Sequence, residues 1–270
     1  MPRSIPFYKM VASGNDFVVV DNRRKIIKNA GAFSREICAL HQGAGADGVL
    51  LYENSVRADF RMRIVNLDGS EAAACGNGFR CIALYARKIM RMSPEMRFES
   101  GSGLIEAEVK SGGFVKVQLI KPRIFETDGK LVLGSRNLGY AFLDTGVPHT
   151  VIFSEGLEKI DVFTLGRAVR QHSRFKPAGT NVNFVEIRNR KEIRVRTYER
   201  GVENETLACG TGSTASAVIS VLKGHCLPPV TVHTRGGEKL VIDMVRKGSG
   251  IEKVFLQGKA KFVYKGEYYL

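Results

Sequence analysis

Apolar and polar positions along the chain predict short strands with a few helices, in an order that occurs twice. In the first half, the pattern predicts a helix over 33–41 and strands at 5–11, 17–21, 49–53, 60–65, 96–99, 104–110 and 114–120. In the second half, it predicts a helix over 162–172 and strands at 139–144, 149–153, 182–187, 193–198, 230–234, 240–245, 254–257 and 259–264. The repeated order indicates an internal duplication.

Each half also contains one helix that is apolar on nearly all sides. The apolar positions at helical spacing are Phe79, Ile82, Ala83, Ala86, Ile89 and Met90 in the first half, and Ala215, Val218, Ile219 and Leu222 in the second. A helix of this kind must be covered all round. The predicted fold is therefore α/β of the α+β type, with two similar halves, each a curved mixed sheet wrapped around a central buried helix.

The amino-acid composition limits the class of protein and the cellular compartment that the chain suits. Of the 270 residues, 44% are hydrophobic and 25% are charged, which is typical of a globular protein. No apolar run approaches the roughly 20 residues of a membrane span, and the N-terminus lacks the apolar core of a signal peptide. Five cysteines without disulfide or zinc spacing predict reduced thiols, no metal site and a cytoplasmic protein.

The net charge of +14 raises the question of a polyanionic partner. The basic residues are spread along the chain, and in the densest run, 188–196, Arg194 and Arg196 alternate with apolar residues as in a half-exposed strand. This favours a solvated basic face, with no nucleic acid or membrane bound, and a positive field also suits an anionic small substrate. A basic nucleic-acid-binding protein remains the alternative from a different class.

The candidate chemistry lies at the two buried helices. Cys75 and Cys209 each precede a Gly-x-Gly turn at the predicted helix start. A helix start offers unpaired N–H groups and a positive dipole end, which bind a carboxylate and lower the pKa of a thiol. If two such helix starts face each other, one cysteine could remove a proton from one face of a substrate carbon, and the other cysteine could deliver a proton to the opposite face. One copy alone would also fit an ordinary buried cysteine beside a turn, but the recurrence favours the functional interpretation.

Several motifs, in one order, carry a family resemblance. They are Gly14-Asn15-Asp16-Phe17, Asn66-Leu67-Asp68-Gly69-Ser70, Cys75-Gly76-Asn77-Gly78-Phe79-Arg80-Cys81, Pro148-His149, Tyr198-Glu199-Arg200-Gly201 and Ala208-Cys209-Gly210-Thr211-Gly212. From about Phe7 to Tyr264 the sequence resembles the diaminopimelate epimerase family. The resemblance implies a cofactor-independent isomerase of lysine and peptidoglycan-precursor biosynthesis that interconverts LL- and meso-diaminopimelate. It also implies a homodimer, and a pseudo-twofold pair of halves, 1–121 plus 262–270 and 122–261, with the active site in the cleft between them.

The resemblance further assigns site residues. Cys75 and Cys209 would be the two proton-transferring residues, and the N–H groups of Gly76, Asn77, Gly210 and Thr211 would hold the reacting carboxylate. The implied substrate binders are Asn15, Asn66, Asn181, Glu199 and Arg200, and His149 is implied near the site. Arg200 would pair with the distal carboxylate and Glu199 with an ammonium group. Taken alone, the asparagines also fit turn positions, and Glu199 with Arg200 fits a surface pair.

Two positions depart from a common form of the family and concern the contacts to the distal end of the substrate, not the cysteine chemistry. Val147 stands where an asparagine is frequent, and Gly48 stands where some members have a glutamine. The alternative is a related two-cysteine racemase or epimerase that acts on proline or hydroxyproline. Arg200 and the asparagines favour a substrate with a second charged end.

Overall fold

The computed structural model describes residues 4–134, 136–248 and 250–269. The chain divides into two compact units, Met1–Gln118 with Gly258–Leu270 and Leu119–Gln257. The helices are α1 (Ala30–Ile37), α2 (Gly76–Lys88), α3 (Val162–Arg170) and α4 (Gly210–Leu222). Within the part of the chain described, no helix has the length and apolar character to cross a membrane.

The strands of the two units follow one another along the chain. They are β1 (Ser4–Ala12), β2 (Asn15–Asp21), β3 (Gly48–Glu53), β4 (Phe60–Asn66), β5 (Glu71–Ala72), β6 (Glu95–Ser100), β7 (Gly103–Val109), β8 (Phe114–Leu119), β9 (Arg123–Leu133), β10 (Arg136–Asp144), β11 (Pro148–Phe153), β12 (Asn181–Asn189), β13 (Glu192–Glu199), β14 (Asn204–Thr206), β15 (Val230–Thr234), β16 (Lys239–Lys247), β17 (Gly250–Lys259) and β18 (Lys261–Tyr269).

The first unit contains a mixed sheet around α2. Strand β1 pairs antiparallel with both β18 and β2, and β2 pairs parallel with β3. Strand β3 pairs antiparallel with β4, which pairs antiparallel with β5 and parallel with β6. Strands β6, β7 and β8 then form an antiparallel meander, so the predicted hairpin at residues 111–113 is confirmed. Helix α2 is buried from Gly78 to Ala86, as its apolar spacing predicts.

The second unit repeats this order of pairings around α4. Strand β10 pairs antiparallel with β9 and β11, and β11 pairs parallel with β12. Strand β12 pairs antiparallel with β13, which pairs antiparallel with β14 and parallel with β15; β15, β16 and β17 form the antiparallel meander. The two units therefore share one topology, and the prediction of two similar halves is confirmed.

Helix α4 is buried even though its sequence contains hydroxyl residues. The hydroxyls of Thr214, Ser216 and Ser220 donate to the carbonyl oxygens of Gly210, Gly212 and Ser216, at 2.9, 2.7 and 2.7 Å. This internal bonding satisfies the hydroxyl groups within the helix itself. The helix can therefore lie in the core of its unit without leaving these groups unpaired.

Two predicted elements need correction, and the prediction missed the strands β5, β9 and β14. The helix predicted over 33–41 is Ala30–Ile37, because Asn29 Oδ1 accepts the N–H of Ala32 at 3.0 Å and so caps an earlier start. The prediction missed β9, in which a polar stretch interrupts the apolar alternation and the strand forms by pairing with β10. The strand predicted at 259–264 overlaps β18, but its bounds need correction, since β17 continues to Lys259 and β18 runs from Lys261 to Tyr269.

Candidate active site

Cys75 occupies the N-cap position of α2. Its backbone is extended, and its Sγ accepts the N–H of Gly78 at 3.4 Å. A Cβ on Gly78 would lie 3.1 Å from the Met62 Cε and 3.2 Å from a Leu50 methyl carbon, so glycine lets the core pack closely against the helix start. The sequence prediction of a cysteine at the start of a buried helix is confirmed here.

Cys209 occupies the same position at α4. Its Sγ accepts the N–H of Gly212 at 3.4 Å and lies 3.4 Å from the Thr211 hydroxyl oxygen. A Cβ on Gly212 would lie 3.3 Å from this sulfur and only 2.3 Å from Asn183 Oδ1. The second helix start therefore has no room for a side chain at position 212, and it too confirms the predicted local structure.

The pKa of each thiol lies above its ordinary value, contrary to the expected lowering by the helix start. Burial raises the pKa of Cys209 to about 11, and the nearby Glu199 carboxylate adds to the rise, while the Thr211 hydroxyl and the N–H of Gly212 oppose it. Burial also raises the pKa of Cys75, against N–H groups at the helix start and the positive charge of Arg80. The cost of removing a thiolate from water exceeds the contribution of these donors.

Asn15 and Asn77 lie together in the first unit, beside the start of α2. The Asn77 amide donates to Asn15 Oδ1 at 2.6 Å, and the Asn15 amide donates to Asp47 Oδ2 at 2.9 Å. The guanidinium of Arg80 donates to Asn77 Oδ1 at 2.9 Å and also to the Ser13 hydroxyl. Arg80 carried no role in the sequence analysis; the available signal was an arginine among the apolar positions of a buried helix.

Asn66 ends strand β4 and is held in its own turn. Its amide donates to the Ser70 hydroxyl at 2.9 Å, and its carbonyl oxygen accepts the N–H of Gly69 at 2.9 Å. Its register partner is Gly48, where a Cβ would lie 2.6 Å from the Val65 carbonyl oxygen. Glycine at position 48 therefore allows β3 and β4 to approach closely.

Asn181 links two of the other predicted site segments in the second unit. It is 4% exposed; its amide donates to the Pro148 carbonyl oxygen at 2.9 Å, and its Oδ1 accepts the N–H of Arg200 at 2.9 Å. Arg200 is half-buried as a residue, and its guanidinium donates to the Ala178 carbonyl oxygen at 3.0 Å. Asn181 thus fixes the backbone from which Arg200 projects.

His149 is buried in the second unit, and Glu199 is half-buried there. The Asn183 amide donates to His149 Nδ1 at 3.1 Å, and burial together with the positive Arg200 lowers the pKa of His149 to about 3. His149 is therefore neutral at physiological pH, with its hydrogen on Nε2. Burial raises the pKa of Glu199, and the nearby Thr206 hydroxyl partly opposes the rise. Asn183 was missed because the sequence gives no sign of its partners.

The predicted site residues are thus divided between the units. The first unit contains Asn15, Asn66, Cys75, Gly76 and Asn77, and the second contains His149, Asn181, Glu199, Arg200, Cys209, Gly210 and Thr211. The duplication relates them, because Phe17 pairs with Gly48 in the first unit as His149 pairs with Asn181 in the second. By this register Val147 corresponds to Asn15.

Comparisons with known proteins identify the family of this chain. A family model described as diaminopimelate epimerase matches residues 7–127 and 141–263. The diaminopimelate epimerase of Aquifex aeolicus is 46% identical, covering 96% of both chains, and that of Chlorobaculum tepidum is 40% identical, covering 95% of this chain and 98% of the relative.

Among solved structures, a PhzF-family phenazine biosynthesis protein of Bacillus anthracis has a TM-score of 0.75 at 14% identity, covering 99% of this chain and 100% of that one. A hydroxyproline epimerase of Agrobacterium vitis has a TM-score of 0.69 at 16% identity, covering 100% and 94%. At these identities the structural similarity shows a shared fold. The family model and the sequence relatives, each covering most of the chain, show that it belongs to the diaminopimelate epimerase family.

Proposed function

We propose that this protein is an epimerase that interconverts LL- and meso-diaminopimelate without a cofactor. The observation that carries the proposal is the duplicated cysteine cap: in each unit one cysteine begins a buried helix and accepts an N–H three residues ahead, in a chain of this family. In the reaction, one cysteine as thiolate removes the α-proton and the other as thiol delivers a proton to the opposite face. Reversal of the reaction exchanges the two roles.

The α-carbon of an amino acid is a weak acid, so the carbanion needs stabilisation. The N–H groups of Gly76, Asn77, Gly210 and Thr211 are suited to hold the carboxylate of the reacting carbon, where negative charge develops. These residues are the first two of α2 and α4, so each pair of N–H groups stands at the positive end of a helix dipole. This electrostatic assistance takes the part that an electron-withdrawing cofactor plays in other enzymes.

The raised thiol pKa values fit this demand. A thiolate formed from a thiol with a pKa of about 11, as at Cys209, is a stronger base than an ordinary cysteine thiolate. Its population at neutral pH is small, since each pKa unit above the pH costs about a factor of ten. A substrate ammonium group brought near the sulfur would favour the thiolate form.

The remaining site residues are suited to a substrate with two amino-acid ends. Arg200, held by Asn181, offers a planar guanidinium for bidentate pairing with the distal carboxylate. Glu199 can accept from an ammonium group, and Asn15 and Asn66 supply further polar groups. A proline-type substrate has no distal carboxylate for Arg200, so this set favours diaminopimelate over proline or hydroxyproline.

The cysteines and the surface of strand β18 bear on the compartment and the oligomeric state of the protein. The described cysteines are free thiols, and two reactive thiols favour a reducing compartment, which supports work in the cytoplasm. Strand β18 exposes the apolar side chains of Val263, Tyr264 and Tyr269, and exposed apolar groups of this kind support assembly as a homodimer. Size-exclusion chromatography with light scattering tests the dimer; a monomeric mass at micromolar concentration would contradict it.

Deuterium uptake tests the function. The purified protein is incubated in deuterated water with LL-diaminopimelate, with L-proline and with hydroxyproline in separate reactions, and the α-deuterium content is followed by mass spectrometry. We expect uptake and stereochemical inversion only with diaminopimelate. Uptake with proline or hydroxyproline alone would identify the related racemase activity instead.

A further inference from the structure

Arg80 is a charged residue in the core of the first unit. It is the fifth residue of α2, and its side chain is completely buried. Arginine is almost never fully buried unless its guanidinium is paired, because removing the charge from water is costly. Two of the groups that receive its hydrogen bonds are Asn77 Oδ1 and the Ser13 hydroxyl.

These bonds set the direction of a chain of side chains. Because Arg80 holds Asn77 Oδ1, the Asn77 amide nitrogen faces Asn15 Oδ1 and donates to it at 2.6 Å. The Asn15 amide nitrogen then faces Asp47 and donates to it at 2.9 Å. Arg80 therefore fixes which side of Asn77, and through it of Asn15, acts as donor.

The duplication shows that the helix itself does not require this arginine. Five residues after Cys209, at the place that Arg80 occupies after Cys75, stands Thr214, whose hydroxyl donates to the Gly210 carbonyl oxygen inside α4. Asn77 likewise corresponds to Thr211, whose hydroxyl lies 3.4 Å from the Cys209 sulfur. A buried helix start with a cysteine cap therefore forms with either residue, and the arginine in the first unit has a separate role.

We infer that Arg80 is a positioning residue for the Cys75 half of the site: it orients the amides of Asn77 and Asn15 and places a fixed positive charge next to Cys75. The kinetic part of this inference rests on the proposed epimerase function; the charge and orientation do not.

The other charged and titratable groups near Cys75 come from the elements around it. Asp47 before β3 acts on Cys75, Asp16 on β2 acts on the neighbouring Cys81 of α2, and Lys9 on β1 is paired with Asp16 at 2.7 Å. Arg80 lowers the pKa of Cys75 and Asp47 raises it. Arg80 is thus the positively charged side chain among these groups that favours the Cys75 thiolate directly.

Alkylation of the two thiols tests the charge. Wild-type protein, Arg80→Met, Arg80→Lys and the control Arg87→Met, an exposed arginine on the same helix, are treated with iodoacetamide from pH 7 to 10. Peptide mass spectrometry then gives separate rates for Cys75 and Cys209. In Arg80→Met we expect the Cys75 rate at pH 8 to fall about tenfold, equal to roughly one pKa unit. The Cys209 rate and the Arg87→Met protein should stay within about twofold of wild type.

The Arg80→Lys variant separates the effect of the positive charge from the effect of orienting Asn77 and Asn15. Arg80→Lys keeps the charge but lacks the planar fork that reaches Asn77 and Ser13 together. We therefore expect Cys75 alkylation within about threefold of wild type, while kcat/KM for diaminopimelate falls at least about tenfold, mainly through KM.

The inference is overturned if Cys75 alkylation in Arg80→Met matches wild type, or if both cysteines slow equally, which would show general loosening. Should Arg80→Met fail to fold, wild-type kcat/KM in Arg80→Lys would by itself overturn the positioning role. If Arg80→Met slows the alkylation of Cys75 alone, but the wild-type protein does not epimerise diaminopimelate, the positioning role of Arg80 is supported and the proposed function is rejected.

Discussion

Two glycines that correspond in the duplication are expected to respond differently to the same substitution. Gly78 and Gly212 each stand three residues after a capping cysteine, and the backbone N–H of each donates to the cysteine Sγ. A Cβ at position 78 would approach the ends of two flexible side chains, at 3.1 and 3.2 Å. A Cβ at position 212 would approach Asn183 Oδ1 at 2.3 Å, a distance that no rotation of the new methyl group can relieve.

The expected loss of stability in Gly212→Ala follows from the hydrogen bonds that the Asn183 side chain makes. Its amide donates to His149 Nδ1 and to the Thr150 carbonyl oxygen, and its Oδ1 accepts the Thr197 hydroxyl at 3.0 Å. Displacing this side chain strains or breaks buried hydrogen bonds worth about 1 kcal/mol each. Overpacking adds about 1–3 kcal/mol, while alanine in a helix regains about 0.5–1 kcal/mol over glycine. We expect Gly212→Ala to lose about 2–4 kcal/mol, and Gly78→Ala about 0–1 kcal/mol because its neighbours can move.

Urea unfolding of wild type and both variants measures these losses. A third protein, Gly212→Ala with Asn183→Ala, removes the obstructing oxygen. Its loss should fall short of the sum of the two single losses by at least about 1 kcal/mol, since the residues are in direct contact. If Gly212→Ala and Gly78→Ala were equally mild, or the double variant strictly additive, the reasoning from close packing at α4 would be refuted.

Two further predictions concern the cysteines and the buried histidine. Cys75→Ser and Cys209→Ser are each expected to lower the rate of inversion by a factor of at least about 10², because each removes one proton-transferring group; a single variant that inverts diaminopimelate at the wild-type rate, followed by circular dichroism or chiral chromatography, would reject the two-base scheme. The lowered pKa of His149, about 3 against 6.5, means that the unfolded chain binds a proton there which the folded protein excludes. The contribution of the neutral His149 to the free energy of unfolding is complete above pH 6.5. It is lost as the pH falls towards 3, at up to about 1.4 kcal/mol per pH unit. Urea titrations of wild type and His149→Asn between pH 7 and 4.5 should therefore show a shallower decline in the variant; parallel curves would contradict a neutral, buried His149.

The sequence predicted the parts of the site that depend on local pattern. A cysteine before Gly-x-Gly, followed by apolar residues at helical spacing, sufficed to place both capped helices, because capping is a local property. Strand β9 was missed because its partner β10 decides its conformation, and pairing of this kind overrides weak alternation. Arg80 and Asn183 were missed for a related reason: sequence does not reveal that a polar residue is buried, or which distant groups satisfy it. The upward thiol pKa shifts were missed because burial, which the helix-start argument did not weigh, dominates them.

The duplication separates what the proposed chemistry needs twice from what it needs once. Both units repeat the cysteine cap and the buried helix, to which the proposed function assigns proton transfer, and that step must work in both directions. The surrounding side chains differ: Asn15 corresponds to Val147, Gly48 to Asn181 and Arg80 to Thr214. Diaminopimelate has two amino-acid ends, of which only one is inverted in a turnover, so the enzyme must tell the reacting end from the distal one. Identical halves could not do so, and under the proposed function the unequal side chains of the two units would provide the difference that this selection requires.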